Sequence, residues 1–312
     1  MFKPNKPNST ESPENLPSNK LFRPKVPNSP EQILNFAENR GHGPHRPAPM
    51  ENQFPSQMDT HTPRQSDSIV IIPTYNEKEN IENIIRAVKA LEAHNFHILI
   101  IDDGSPDGTA SIVKRLMHDD FPDELFLMER KGKLGLGTAY IAGFRWALEH
   151  NYEYIFEMDA DFSHDPADLP RLYDACAKEG YDVAVGSRYV NGVNVVNWPM
   201  GRILMSYYAS KYVRLVTGCP IHDTTAGFKC YRRRVLETID LDAIRFKGYA
   251  FQIEMKFTAY KLGFRIKEVS VVFVNRQLGT SKMSGGIFGE ALFGVIRLRL
   301  AALFGKIRPR RA

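Results

Sequence analysis

Residues Ser68–Gly104 read SIVIIPTYNEKENIENIIRAVKALEAHNFHILIIDDG. Ser68–Ile72 is a short apolar run stopped by Pro73, and His97–Ile101 (HILII) is a second, stopped by Asp-Asp-Gly-Ser. Unbroken apolar runs of this length suit strands buried on both faces. Between them Ile81, Ile84, Ile85, Val88 and Leu91 recur at the spacing of one helix face. Working outward, the alternation continues: a helix near Ala110–Met117, a strand near Leu125–Met128 and a glycine-rich loop opening a helix at Thr138–Glu149. A strand at Tyr154–Met158, a helix at Asp168–Lys178 and a strand at Asp182–Gly186 follow. This pattern predicts an α/β fold, a mostly parallel, Rossmann-like sheet with helices on both faces. After Gly186 the chain becomes a longer, irregular helix–strand section ending in an expected strand at Phe264–Val274, and no internal repeat is present.

The flanks differ from this centre. Residues 1–67 hold 12 of the 20 prolines and almost no apolar periodicity, so they are expected to be a disordered extension, with Glu31–Asn39 its only weak helical candidate. Residues 287–312 carry six basic side chains against one acidic, which accounts for a formal net charge of +5 over 312 residues. Positive charge confined to one tail argues against a nucleic-acid-binding face and for an anionic lipid surface. The expected organisation is therefore an extension over 1–67, a catalytic domain over 68–286 and a basic, apolar helix over 287–312. At 43% apolar and 25% charged residues, the composition excludes collagen-like, coiled-coil and disulfide-dense chains. The longest apolar runs, such as Val269–Val274, fall far short of the ~20 residues a membrane span needs. Three cysteines without a CxxC pair, and no apolar leader, point to a reducing, cytosolic compartment.

Ligands of open α/β sheets bind beyond the carboxyl ends of the strands, and that is where the polar clusters fall. Thr74–Glu77 follows the first strand, Asp102–Ser105 the second, Asp159–Ser163 the fourth, and Ser187-Arg188 the fifth. In extended backbone, residues two apart share a side, so Asp159 and Asp161 of Asp-Ala-Asp can share a hard cation such as Mg²⁺ or Mn²⁺. The bland alternative is a polar turn with Asp161 as a cap. Asp102-Asp103-Gly104-Ser105 reads equally as a base- or ribose-binding carboxylate or as a plain Asp-Gly turn. Gly132–Gly137 is spaced GxxGxG, not GxGxxG, which disfavours an NAD-dependent oxidoreductase. Arg188, Arg202, Arg276 and Lys282 suit phosphate oxygens as a set, although any one alone reads as a surface charge. His164 and His222 lack the partners of a zinc site and read as structural or surface residues. Ser163 and Ser187 lie in no nucleophile elbow.

Together the motifs resemble the dolichol-phosphate mannosyltransferases, also called polyprenol monophosphomannose synthases, which are inverting family 2 glycosyltransferases of the GT-A fold. The matching residues are PTYNE at Pro73–Glu77, DDGSPDGT at Asp102–Thr109, LGLGTAY at Leu134–Tyr140, DAD at Asp159–Asp161, GSRY at Gly186–Tyr189, DTTAGF at Asp223–Phe228 and RQLGTSK at Arg276–Lys282. The resemblance implies transfer of mannose from GDP-mannose to dolichyl or another polyprenyl phosphate, with Mg²⁺ or Mn²⁺. It implies that Pro73, Tyr75, Glu77, Ile101 and Asp103 line the nucleotide pocket. Asp159, Ala160 and Asp161 would hold the sugar diphosphate and metal, with Ser163 as a further ligand. Arg188, Arg276 and Lys282 would bind donor or acceptor phosphates, and Arg202 the acceptor phosphate; Asp161 and Arg188 are the expected catalytic residues. A phosphate monoester is largely dianionic at neutral pH, its second pKa being about 6, so the attack needs no strong general base.

The acceptor is a lipid, yet no spanning segment is written. Ile287–Ile307 followed by Arg308–Arg311 is expected to be an interfacial helix at the cytoplasmic face of a membrane, or to pack on the domain or on a membrane-anchoring partner subunit. The alternatives are a related transferase using UDP-glucose or another sugar nucleotide, and a non-catalytic glycosyltransferase-like subunit.

Overall fold

The computed structural model describes residues 66–248, 250–275 and 287–310, the side chains of 287–292 excepted. The extension up to residue 65 lies outside the described residues, as do Arg276 and Lys282. The chain runs β1 (Ser68–Thr74), α1 (Ile81–Lys89), β2 (His97–Asp102), α2 (Thr109–Asp119), β3 (Leu125–Glu129), α3 (Leu136–Glu149), β4 (Tyr154–Glu157), α4 (Leu169–Ala177) and β5 (Val183–Ser187). Then come β6 (Val195–Val196), α5 (Met200–Thr217), β7 (Lys229–Arg232), α6 (Arg233–Thr238), α7 (Ala250–Lys261), β8 (Ile266–Ser270), β9 (Phe273–Val274) and α8 (Ile287–Leu303).

Seven strands form one sheet in the order β3-β2-β1-β4-β7-β5-β8. All neighbours are parallel except β7, which is antiparallel to both β4 and β5. The expected parallel α/β sheet is therefore present, but β7 is an addition to it. Its sequence, KCYR, carries no apolar run. Lys229 nevertheless sits in the middle of the sheet because its charge is met there by Glu157 of β4, at 2.9 Å. The expected single strand at Phe264–Val274 is instead two: β8 extends the main sheet, and β9 pairs with β6 in a separate ribbon.

Strand β1 shows why its apolar run is unbroken. Ile69 and Ile71 pack in one core with Tyr140 and Phe144 of α3 and Phe251 and Met255 of α7. Val70 and Ile72 pack in another with Ile84 and Val88 of α1, Val113 of α2 and Leu172 of α4. Helix α3 lies very close to the sheet: a Cβ on Gly143 would stand 2.8 Å from Ile101 Cδ1 and from Ile71 Cγ2. Helix α7 is buried on all sides from Ala250 to Ala259. A third core joins Val213 of α5, Ile253 and Phe257 of α7, and Val295 and Leu298 of α8. Helix α8 thus packs on the domain. Beyond it the Arg310 N–H donates to Thr238 O at 2.7 Å, next to a β-bridge between Ile239 and Pro309.

Candidate active site

The loops after β1 and β2 are bound to each other. Asp102 Oδ1 accepts from Thr74 Oγ1 at 2.9 Å and from Ser105 Oγ at 2.6 Å, while its Oδ2 accepts from Ser105 N at 2.8 Å. Asn76, Glu77 and Lys78 donate backbone N–H groups to Ser105, Thr109 and Asp107 side chains at 2.9, 3.1 and 3.1 Å. Asp102 therefore shapes the turn and Asp103 is not committed to it; neither Asp103 nor Pro73, Tyr75, Glu77 and Ile101 is among the residues that line the cleft formed after β4. Asp103 Oδ1 accepts from Arg130 Nε at 2.6 Å and forms an ion pair with the same guanidinium, and Arg130 Nη1 donates to Thr138 Oγ1 at 2.9 Å. Sequence reasoning missed Arg130; its position one residue past β3 was the available signal. Tyr75 is half-buried with Lys133 Nζ 5.4 Å above its ring, Pro73 is half-buried, and Glu77 Oε2 accepts from Asn80 Nδ2 at 3.1 Å. Ile101 is different: it is fully buried within β2, paired with Pro73 of β1 and set beside Gly143 of α3.

After β4 the chain turns sharply. Phe162 has φ 57°, a left-handed conformation that costs a bulky residue energy. The strained turn swings Asp159 and Asp161 into one cleft of about 570 Å³ that also receives Ser163, Arg188, Arg202 and Trp198. Asp161 is buried and its Oδ1 accepts from Ser163 N at 3.0 Å, whereas the Asp159 side chain is 40% exposed. Ala160 is buried between them. His164 supports the turn: its Nδ1 accepts the Asp159 N–H at 3.1 Å, and its ring stacks on Phe228 with centroids 5.0 Å apart. Burial pushes the imidazole down to about 4, so it is neutral at physiological pH.

The donor set fits a hard divalent cation. Asp159 and Asp161 offer carboxylate oxygens in one cleft, and among the described residues no group of three or more His, Cys, Asp or Glu side chains forms a closed cage. Two carboxylates, with water and phosphate oxygens completing the shell, is the usual Mg²⁺ arrangement.

The same cleft receives two arginines. The Arg188 Nε and Nη2 donate to Asp223 Oδ2 and Oδ1, both at 2.6 Å, and the Arg188 N–H donates to Oδ2 at 2.9 Å. Burial alone would raise the Asp223 carboxyl, but the Arg188 charge and these hydrogen bonds hold it below the usual range. The rings of Tyr189, Trp198 and Phe273 surround the guanidinium at 5.2, 5.5 and 5.4 Å. Arg202, in the first turn of α5, lies 3.9 Å over Trp198 and donates from Nη1 to Asn275 Oδ1 at 2.9 Å. Arg276 and Lys282 follow Asn275 outside the described residues. Beneath the cleft Gln252 donates to Glu157 Oε2 at 2.8 Å and accepts from Lys229, and Lys256 Nζ donates to Ala226 O at 2.6 Å. Burial holds both lysines below their usual pKa. Of the histidines, His164 is a buried support, and His222 lies away from the cleft on Glu268.

A mostly parallel sheet of this topology, with paired acidic groups after β4 and arginines lining one cleft, defines a GT-A glycosyltransferase. Residues 69–240 match the family described as glycosyl transferase family 2, and the chain belongs to it. It is 49% identical over 245 residues to the polyprenol monophosphomannose synthase of Mycolicibacterium smegmatis, covering 77% of this chain and 91% of the relative. It is 46% identical over 242 residues to the undecaprenyl-phosphate mannosyltransferase of Micrococcus luteus, covering 78% and 98%. Among solved structures, glucosyl-3-phosphoglycerate synthase from Mycobacterium tuberculosis, in complex with Mn²⁺, UDP and glucosyl-3-phosphoglycerate, shares the fold. Its TM-score is 0.53 at 19% identity, over 75% of this chain and 79% of that one. The same enzyme has been solved with Mg²⁺ and UDP. The resemblance carried by the motifs and the similarity to these relatives agree: the chain is a glycosyltransferase.

Proposed function

We propose that this enzyme transfers mannose from GDP-mannose to a polyprenyl phosphate, with inversion, giving polyprenyl phosphate mannose and GDP. The observation that carries the reading is one cleft with three unlike walls. The Asp159/Asp161 turn is acidic, Arg188 and Arg202 are cationic, and Met205, Tyr208 and Ala209 of α5 add a largely apolar face. A lipid phosphate needs the last two together, and a sugar diphosphate with its cation needs the first. The names of both relatives support a polyprenyl phosphate acceptor and a mannosyl donor.

On this reading Pro73, Tyr75, Glu77, Asp103 and the main chain of Ile101 form the nucleotide side. Asp159 and Asp161, with Ser163, would hold Mg²⁺ or Mn²⁺, which when bound offsets the charge of the departing diphosphate. Arg188 and Arg202, joined by Arg276 and Lys282, orient the acceptor phosphate. Its oxygen attacks the anomeric carbon from the face opposite GDP; one C–O bond forms, the other breaks, and the electron pair leaves with GDP. The acceptor oxygen is already deprotonated, and neutral, buried His164 is not required as a base. The enzyme would work at the cytoplasmic face of a membrane, where a polyprenyl phosphate presents its head group; no described helix is long and apolar enough to cross one.

The test is label transfer from GDP-mannose, or from UDP-glucose, into the lipid phase with Mg²⁺ and polyprenyl phosphate. Mannose label in the lipid, reduced at least about a hundredfold by Asp161→Asn, is the expected result. Label from UDP-glucose alone would overturn the donor, and label from neither would overturn the reaction.

A further inference from the structure

Arg188 points into the cleft from a wall whose own support lies outside it. Asp223, which grips the guanidinium, is completely buried and sits on the irregular loop between α5 and β7. A loop without regular backbone pairing needs another tie to hold a carboxylate to within the tolerance that a bidentate fork demands. That tie is Glu268 on β8. Its Oε1 accepts from Asp223 N at 2.9 Å and from Ser187 Oγ at 2.7 Å. Its Oε2 accepts from His222 N at 2.7 Å and faces His222 Nδ1 at 2.9 Å. One nearly buried carboxylate thus gathers the end of β5, immediately before Arg188, and the loop that carries the Arg188 partner. Glu268 does not line the cleft.

We propose that Glu268 is a positioning residue for the reaction: it fixes Asp223 and Ser187, and through them the direction in which Arg188 presents its charge to the acceptor phosphate. The chemistry favours a carboxylate over any neutral side chain. Three donors, Asp223 N–H, Ser187 Oγ–H and His222 N–H, converge on the two oxygens with His222 Nδ1 beside them, and both oxygens must accept. Glutamine keeps the shape, but its amide NH2 takes the place of one accepting oxygen, and the buried donors at that position are left facing a donor. The proposed nucleotide side, on β1 and β2 and the loops after them, lies outside the lining of this cleft and shares none of these bonds. The effect therefore falls on the acceptor and not on the donor.

This inference rests on the phosphate-acceptor reading, so the experiment has one arm independent of turnover. The Arg188 Nε–H resonance, assigned by its loss in Arg188→Lys, is recorded in the full-length wild type and in Glu268→Gln. Steady-state kinetics with polyprenyl phosphate and GDP-mannose form the second arm. The expected result is a displaced and more rapidly exchanging Arg188 signal. The acceptor KM should rise, or kcat fall, on the order of tenfold to a hundredfold, while the donor KM and GDP affinity stay within about twofold. Asp223→Asn should give the same pattern, and the double variant little more than either single one. An unchanged Arg188 signal, or equal losses for donor and acceptor, would overturn the proposal. If the wild type transferred no sugar, the substrate reading would fail while the Arg188 signal still decided the clamp. Should Glu268→Gln not fold, His222→Ala removes one partly exposed partner of Oε2 and should shift the same signal by less; no shift there counts against the clamp.

Discussion

His164 acts through a lone pair. Its Nδ1 must stay unprotonated to accept the Asp159 N–H, and burial against Phe228 ensures that it does. The histidine pKa falls from 6.5 to about 4 on folding. The unfolded chain therefore binds the proton more readily in that window. The stabilising contribution is complete above about 6.5 and is lost as pH drops towards 4. Thermal melts between pH 7 and 4 should show a weaker acid dependence for His164→Phe than for the wild type; identical slopes would count against the assignment. The variant should also be less stable at pH 7, since the stack survives but Asp159 N–H loses its partner. At this scale the sequence was only partly legible. Asp159, Asp161 and Arg188, which the sequence puts beyond strand ends, and Arg202 of α5 line one cleft. Asp223 was legible only as the first residue of a matching motif, and Arg130 and Glu268 only as members of charged or polar stretches, because their roles depend on partners 27 to 81 positions away.

Among the elements, α3 shows how a glycine-rich motif that looks like a phosphate loop can serve packing. A Cβ on Gly137 would stand 2.8 Å from Phe251 Cδ2 and 2.9 Å from the Phe246 carbonyl oxygen, and the Gly137 N–H donates to Lys247 O at 2.8 Å. The motif lets the first turn of α3 press against the chain that leads into α7. Gly137→Ala should cost about 1–3 kcal/mol, because one clashing atom is backbone and cannot rotate aside. Gly143→Ala meets isoleucine side chains and should cost less. Urea melts of the two variants check the order, and a larger loss at Gly143 would show that the sheet yields less than the loop. Helix and strand existence followed the apolar periodicity through β5. It failed at β7, where a central strand is held by a buried ion pair and by register instead of by an apolar run.

Over the molecule as a whole, exposed apolar side chains concentrate on α5 and α8. Met200, Leu204, Tyr208 and Leu215 fall, with Lys211, within about 80° of the α5 wheel. Phe293, Ile296, Leu300, Leu303 and the following Phe304 cover about 100° of α8. Leu215 is 86% and Phe293 73% exposed, although their helices share a core through Val213, Val295 and Leu298. Arg299 of α8 turns inward and donates to Thr217 O at 3.2 Å. Helix α5 contains no acidic residue, and its Tyr208 also borders the cleft. We propose an anionic bilayer as the occupant of these stripes, with lipid chains reaching the cleft along α5. Flotation of full-length protein on vesicles of anionic phospholipid should fall several-fold for Leu215→Glu combined with Leu303→Glu, with the melting temperature preserved. Equal flotation would assign the stripes to another partner.

The alternation of buried strands and amphipathic helices, and the arrival of acidic and basic clusters at strand ends, were written locally, because each depends on side chains within a few positions of one another. The tertiary structure alone decided which carboxylates are committed to holding turns and which remain for chemistry. It also decided that Lys229 sits inside the sheet and that α8 is part of the body. Those outcomes depend on distant groups meeting in a medium of low polarity, where an unpaired charge is too costly to persist.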